Sequence, residues 1–468
     1  MLQGAASSLL GLLWLVAASA EPLGPLAAPM QRYKVPSSNV SALVQAVDGT
    51  APILALNAEV PRNPASTMKL ITTFVALDTL GPTHTWPTAF YALGPIKNGV
   101  LDGDLLIKGH GDPYLVEENV WKMLGELRGT GLQHITGNLI IDDSYFSPPP
   151  IDPGDFDGER YRLYNVAPNA LMVNFKAVTF FFAPGADNAS VTIRTVPALP
   201  NLTITNQLRL TKGRCRGVLA SFDMTVPDPS VADEVVFSGT YQASCGERAL
   251  PRTMLQPAAY VYGMFRQTWA QWGGTIDGSV KRGVMPAGSK PLYVWHSPPL
   301  AEVIRPLNKW SNNIMADALL YALAGTLFEP PLSLANGASV VQSYLRQRAI
   351  PREGFVMENG SGLSRVSRIS ARTMQSTLQL AYRSRFMPEY LASLSLVGLD
   401  GTFRRRFRHR PETGSMHLKS GHLDGVAAAA GYVLARSGKT YIVVFFLNGV
   451  TGAGDGLINA LLQWTYQQ

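Results

Sequence analysis

Cysteine is scarce: the 468 residues hold two, Cys215 and Cys245. That is too few for a disulfide scaffold and leaves one bond or two buried thiols as the alternatives. Two catalytic signatures are missing. There is no H-E-x-x-H and no G-x-S-x-G, so a zinc peptidase and an α/β-hydrolase lack their motifs. Long apolar runs are missing as well. Leu9 to Ala18 is too short for a comfortable membrane span, and no other stretch reaches spanning length. Dense charge of one sign is absent too: the formal net charge of +7 is spread through a chain with 16% charged residues. So diffuse a balance leaves no footprint for nucleic acid. No internal repeat is evident.

Other features are plentiful. Hydrophobic residues make up 46% of the chain, ample for a core, and 33 prolines with 43 glycines imply many turns. The length suits one large domain or two to three ordinary ones. The apolar segment Leu9 to Ala18 leads into Ala18-Ser19-Ala20, a small-residue cleavage site before Glu21. This is the pattern of a secretory signal peptide, although no Lys or Arg precedes the apolar segment. Export implies an oxidising compartment, where an even cysteine count favours a Cys215–Cys245 disulfide.

Hydrophobic periodicity orders the chain. Ser41 to Ala58 predicts two strands joined at Asp48-Gly49-Thr50, a hairpin signal. A buried helix is predicted from about Pro64 to Leu80, with Pro64 in its first turn and Gly81-Pro82 as its stop. Pro87 to about Pro251 reads as strand-rich. Helical spacing returns at Met254 and dominates to Arg383. The chain ends in strands over His417–Leu447 and an amphipathic helix over Leu457–Tyr466.

Three polar motifs fall on these elements in order. Ser66-Thr67-Met68-Lys69 gives S-x-x-K at a helix start, where residues three apart share a face. A serine hydroxyl needs a base, and an unprotonated lysine can serve if burial or positive neighbours depress its pKa. Ser311-Asn312-Asn313 gives S-x-N at the head of another helix, and Lys419-Ser420-Gly421 gives K-[ST]-G in a strand. Singly, each is common: a plain core helix, a helix cap, a strand-edge turn. Together and in order they form the signature of serine penicillin-interacting enzymes.

The chain also resembles a narrower family, the class C low-molecular-mass penicillin-binding proteins. These are D-alanyl-D-alanine carboxypeptidase/endopeptidases of the penicillin-binding protein 4 type. The resemblance rests on Asn63 to Lys69, Lys108-Gly109-His110-Gly111-Asp112-Pro113, Ile141-Asp142-Asp143-Ser144, Ser311 to Asn313, Asn359-Gly360-Ser361-Gly362-Leu363-Ser364-Arg365 and Leu399-Asp400-Gly401-Thr402. Two departures are Ser420, where threonine is usual, and Asp424, near a position where some members carry glutamine.

The resemblance implies an α/β (α+β) fold: a transpeptidase-like domain with an antiparallel sheet flanked by helices. It implies a discontinuous catalytic domain at 21–86 and 286–468, an accessory region at 87–285 made of two nested domains, and a signal peptide at 1–20. It implies Ser66, Lys69, Ser311 and Asn313 as catalytic residues, with the Lys69 pKa lowered by Lys419 and the helix terminus. Lys419, Ser420, Gly421, His422, Arg365 and Asp142 are implied as substrate contacts. The backbone N–H groups of Ser66 and His422 would form the oxyanion hole. For Asp142 and Asp143, turn capping is the alternative to a substrate amine. The expected partners are peptidoglycan stem peptides and covalently bound β-lactams in the periplasm, with no cofactor, metal or nucleic acid; a homodimer is compatible. Because acylation needs only the three motifs, Pro87 to about Met285 is expected to tolerate internal shortening without loss of penicillin acylation, while cleavage of cross-linked peptidoglycan falls.

Two rivals share part of this pattern. A β-lactamase on the same scaffold needs a deacylating base, and no Glu-x-x-x-Asn lies between Ser66 and Lys419. A non-catalytic peptidoglycan-binding protein would not need intact motifs. Labelled penicillin separates all three: stable label, fast turnover or none. The basic run Arg404 to Arg410 reads as a solvated loop.

Overall fold

The computed structural model describes residues 23–468 except 151, 188, 216 and 218–220. The signal-peptide reading at 1–20 lies outside the described residues. The fold is mixed α/β, with several sheets flanked by helices.

The central sheet has six strands. Their order is Ser395–Leu396, Met416–Leu423, Val426–Leu434, Thr440–Asn448, Val40–Ala46 and Leu54–Leu56, all antiparallel. Alternation along Thr440–Asn448 explains its two layers. Ile442, Val444 and Phe446 join the core under the helices Met68–Leu80, Leu300–Trp310, Asn313–Ala324, Leu334–Gln347 and Ala371–Arg383. Val443, Phe445 and Leu447 join a second core with Leu457, Ile458 and Leu461 of the C-terminal helix Gly454–Tyr466. Both faces are therefore covered, which is why this strand reads as a continuous apolar run.

The helix Met68–Leu80 is the centre of the larger core. Its residues Met68 to Leu77 are all buried, so it has no solvent face over that span. A large apolar side chain buried in this way contributes about 1.5–3 kcal/mol. Its polar members are all bonded: Thr72 Oγ1 donates to the Gly360 carbonyl at 2.7 Å and Thr73 Oγ1 to the Lys69 carbonyl at 2.7 Å.

After this helix the chain leaves the central sheet and comes back at the same place. The outgoing strand Pro87–Leu93 pairs antiparallel with the returning strand Tyr293–His296, Pro87 facing His296. These two strands belong to a five-stranded sheet, and between them in sequence also lie a four-stranded sheet, the helices Glu117–Gly129 and Pro257–Gln271, and two three-stranded sheets around the strands Ala177–Pro184 and Glu234–Gln242. One continuous apolar core joins these pieces.

Cys215 and Cys245 form a disulfide in this inserted region. They close a segment with a sequence separation of 30, and cross-linking a loop of that size restricts the unfolded chain by about 3 kcal/mol. Peptide mapping without reductant is expected to recover the two cysteines in one linked pair. Two free thiols in exported protein would contradict the fold described.

Candidate active site

The turn before the Met68–Leu80 helix is held from several sides. Asn63 Oδ1 accepts from the Ala65 N–H at 2.9 Å, and Asn63 Nδ2 donates to the Ser364 carbonyl at 2.7 Å. The Asn448 amide bonds both backbone groups of Asn63. Ala65 is thereby kept at φ 45°, a left-handed conformation that costs a non-glycine residue about 1–3 kcal/mol and survives only where the surroundings fix it. The outcome is that Ser66, half-buried, projects from the helix start.

Two glycines allow the other motifs to close on this turn. A Cβ at Gly362, where φ is +76°, would lie 2.0 Å from the Ala65 carbonyl oxygen. A Cβ at Gly421 would lie 2.6 Å from the Pro64 oxygen and 3.1 Å from Ala65 Cβ. The glycine in each motif is therefore a requirement of backbone packing against the Ser66 turn.

The side chains converge on two lysines. Lys69 Nζ lies 3.0 Å from Ser66 Oγ, 2.7 Å from Asn313 Oδ1 and 2.6 Å from the Ser361 carbonyl. Lys419 Nζ lies 2.9 Å from Ser311 Oγ and 2.7 Å from the Ser420 carbonyl. Ser420 Oγ bonds Thr402 Oγ1 at 2.9 Å. Ser311 is itself left-handed, at φ 60°, where the helix Leu300–Trp310 ends.

Both ammonium groups are fully buried. Burial pulls the Lys69 pKa down to about 7, against the opposing pull of Asp317. Lys419 is pushed well below its ordinary value by burial and then by the charge of Lys69. The sequence-based expectation was that Lys419 depresses Lys69; desolvation is the leading cause instead.

Asp317 was not anticipated. Burial raises its carboxyl to about 6, while Lys69 and the Ser361 N–H, 2.9 Å away, favour its ionised form. It sits four residues after Asn313 on the same helix, a spacing that places both on one face. That spacing was the available signal.

The inserted region also reaches the site. Tyr164 offers its backbone carbonyl to Asn313 Nδ2 at 3.1 Å, so the amide turns its oxygen to Lys69. Val166, Met172 and Phe175 pack on Ile314, the next residue of that helix. Part of the inserted stretch therefore touches a site residue, so an internal shortening that keeps acylation would have to spare Tyr164 and its surroundings. The same part also forms one wall of a cleft of about 700 Å³, with Phe156 and Tyr164 facing Ser361 and Arg365. Arg365 lies over the Phe156 ring at 4.5 Å, and exposed His422 flanks the other side of Gly421.

Asp142 is not brought to this site. Its side chain is fully enclosed and accepts from the Ser144 N–H and hydroxyl and from the Met285 N–H, with Lys108 Nζ at 3.4 Å. It caps a turn, the alternative to substrate contact: both carboxylate oxygens are bonded within the inserted region, and Asp142 does not line the cleft. Asp143 is held by Arg282 and by Asn169 Nδ2 at 2.7 Å. No cluster of metal-ligating side chains occurs among the described residues.

Comparison with known proteins covers nearly the whole chain. A family model for the D-Ala-D-Ala carboxypeptidase 3 (S13) family matches residues 25–467. A D-alanyl-D-alanine carboxypeptidase, DacB, of Haemophilus influenzae is 25% identical over 420 residues, which is 89% of this chain and 87% of that one. A D-alanyl-D-alanine carboxypeptidase of Actinomadura sp. (strain R39) is 28% identical over 393 residues, 80% of this chain and 71% of that one. The crystal structure of penicillin binding protein 4 from Haemophilus influenzae matches with a TM-score of 0.79 at 24% identity, covering 95% of this chain and 99% of that one. The same protein complexed with a β-lactam matches with a TM-score of 0.71 at 23% identity, over 92% and 97% of the two chains. At this identity the structural likeness speaks for the fold.

Proposed function

The chain belongs to the D-Ala-D-Ala carboxypeptidase 3 (S13) family, and from that premise we propose how its residues perform serine DD-peptidase chemistry on peptidoglycan stem peptides. The observation that carries the proposal is the meeting of Ser66 and Lys69 at 3.0 Å, with the Lys69 pKa drawn to about 7.

Neutral Lys69 takes the Ser66 proton as Oγ attacks the carbonyl between two D-alanines. The N–H groups of Ser66 and His422 receive the oxyanion. Ser311, bonded to Lys419, gives its proton to the leaving amine and regains one from protonated Lys69, which so returns to its neutral form. Water then releases the acyl group from Ser66. Asn313 anchors the substrate amide, with its orientation set by Tyr164. Lys419 and Ser420 take the terminal carboxylate, whose negative charge opposes the burial that lowers the Lys419 pKa. Arg365 and Phe156 line the cleft on the acyl side. Penicillin is captured by the same serine.

No helix among the described residues is long and apolar enough to cross a membrane. The proposed location is the periplasm, where this substrate lies.

Release of D-alanine from a soluble pentapeptide ending in D-Ala-D-Ala tests the proposal. The rate is expected to rise with pH through about 7, because the base works only when deprotonated. Asp317 raises the Lys69 pKa, so Asp317→Asn is expected to move this limb to lower pH. A limb that stays in place or moves up would remove Lys69 from the role of base.

A further inference from the structure

We propose that the groove over Arg404, Arg405, Arg408 and Arg410 holds the leaving peptide of a cross-linked substrate, an acidic peptide strand, and so favours endopeptidase over carboxypeptidase cleavage. The proposal rests on the assignment of Ser66 and Lys419 above.

Topology sets the direction of the substrate. The strand Met416–Leu423 is paired along its whole length with Val426–Leu434. On its other edge only His417 and Leu418 are covered, by Leu396 and Ser395. The edge from Lys419 to Leu423 is therefore free among the described residues, and an extended peptide can add there. Lys419 and Ser420, which take the terminal carboxylate, sit at the end where Ser395–Leu396 blocks further pairing. A carboxypeptidase substrate ends at that point. A cross-linked substrate does not, since its leaving amine belongs to a second stem peptide. That second stem must turn away from the sheet across the segment that follows Ser395–Leu396.

The segment is built for anions. Ser420 Oγ already bonds Thr402, two residues before Arg404. Beyond it is a groove of about 520 Å³ lined by Leu399, Arg404, Arg405, Arg408, His409 and Arg410. Arg404 lies over the ring of Trp310, the residue before Ser311, at 5.5 Å and is pinned to the Gly401 carbonyl at 3.0 Å. Arg405, Arg408 and Arg410 are exposed, and among the described residues their guanidinium groups have no acidic partner. Neighbouring carboxylates are engaged elsewhere: Asp400 by Lys309, Asp455 by Arg406, and Glu412 is buried with Gln463 Nε2 at 3.4 Å. Phe407 and His409 are left-handed, at φ 55° and 60°, in a short segment that keeps its arginines outward. Strain of this kind persists where something else depends on it. Stem peptides carry free carboxylates, and a guanidinium fork matches a carboxylate in two bonds.

The test is a charge reversal in the full chain, Arg405→Glu with Arg408→Glu and Arg410→Glu. Three substrates are compared: a cross-linked muropeptide dimer, a soluble pentapeptide and benzylpenicillin. Dimer cleavage is expected to fall about tenfold in kcat/KM, mostly through KM, since three exposed ion pairs together reach about that factor. Pentapeptide turnover and penicillin acylation are expected to stay within about twofold, because neither reaches the groove. An unchanged dimer rate would overturn the proposal. So would an equal loss on all three substrates, or lost binding to anionic vesicles with dimer cleavage intact. If the variant does not fold, the wild-type protein serves: salt is expected to depress kcat/KM for the dimer more steeply than for the pentapeptide, and equal slopes would overturn the groove assignment. A failure of the underlying serine assignment is visible separately, as wild-type protein that captures no penicillin.

Discussion

Ser66→Ala is expected to abolish covalent capture of penicillin and to lower D-alanine release by on the order of 10⁶-fold, the scale seen when a serine nucleophile is removed from a triad that acts as a unit. The fold should survive. Ser66 is half-buried and, among the described residues, its side chain bonds Lys69 alone, so the lost hydrogen bond is worth about 1 kcal/mol. The Ala65 turn is held by Asn63 and Asn448, neither of which touches the hydroxyl. The check is a thermal melt beside a labelled-penicillin gel. A folded Ser66→Ala protein that still takes label would contradict the assignment.

Lys69→Met is expected to slow acylation by about 10²–10⁴-fold, the range for a positioned general base. Methionine fills much of the volume but leaves the Asn313 oxygen and the Ser361 carbonyl without their donor. Each orphaned acceptor costs about 1–3 kcal/mol, so a lower melting temperature is also expected. Asp317 adapts: without the Lys69 charge that favours its ionised form, burial drives it further toward the protonated state. Lys69→Arg discriminates between a base and a plain hydrogen-bond donor. A guanidinium donates but does not deprotonate at working pH, so arginine should not restore acylation. Recovery with arginine would mean that Lys69 only positions its neighbours.

The three motifs were legible because each carries a local mark. S-x-x-K shares a helical face, S-x-N heads a helix, and K-S-G lies in a strand. The central sheet was legible from alternation and from the Asp48-Gly49 hairpin. The leading cause of the Lys69 shift was not. It is burial by loops hundreds of positions away, and local spacing reports no solvent exposure. Tyr164 acts through its backbone carbonyl, which any residue carries, so no residue type could announce it. Asp142 shows the reverse case. Paired acids beside a turn suggest a substrate contact, but only the fold shows Met285 and Lys108 occupying the carboxylate. The reading of Arg404 to Arg410 as a solvated loop agrees with the exposure of Arg404, Arg405, Arg408 and Arg410; what the sequence does not show is that Ser395–Leu396, just before this loop, covers part of the edge strand.

The most direct measurement is intact-mass analysis of the exported protein after benzylpenicillin, followed by peptide mapping of the adduct. The expected result is one stable penicilloyl group per chain, on the peptide containing Ser66 and absent from Ser66→Ala. An adduct on any other residue, an adduct that turns over within seconds, or no adduct on folded protein would contradict it.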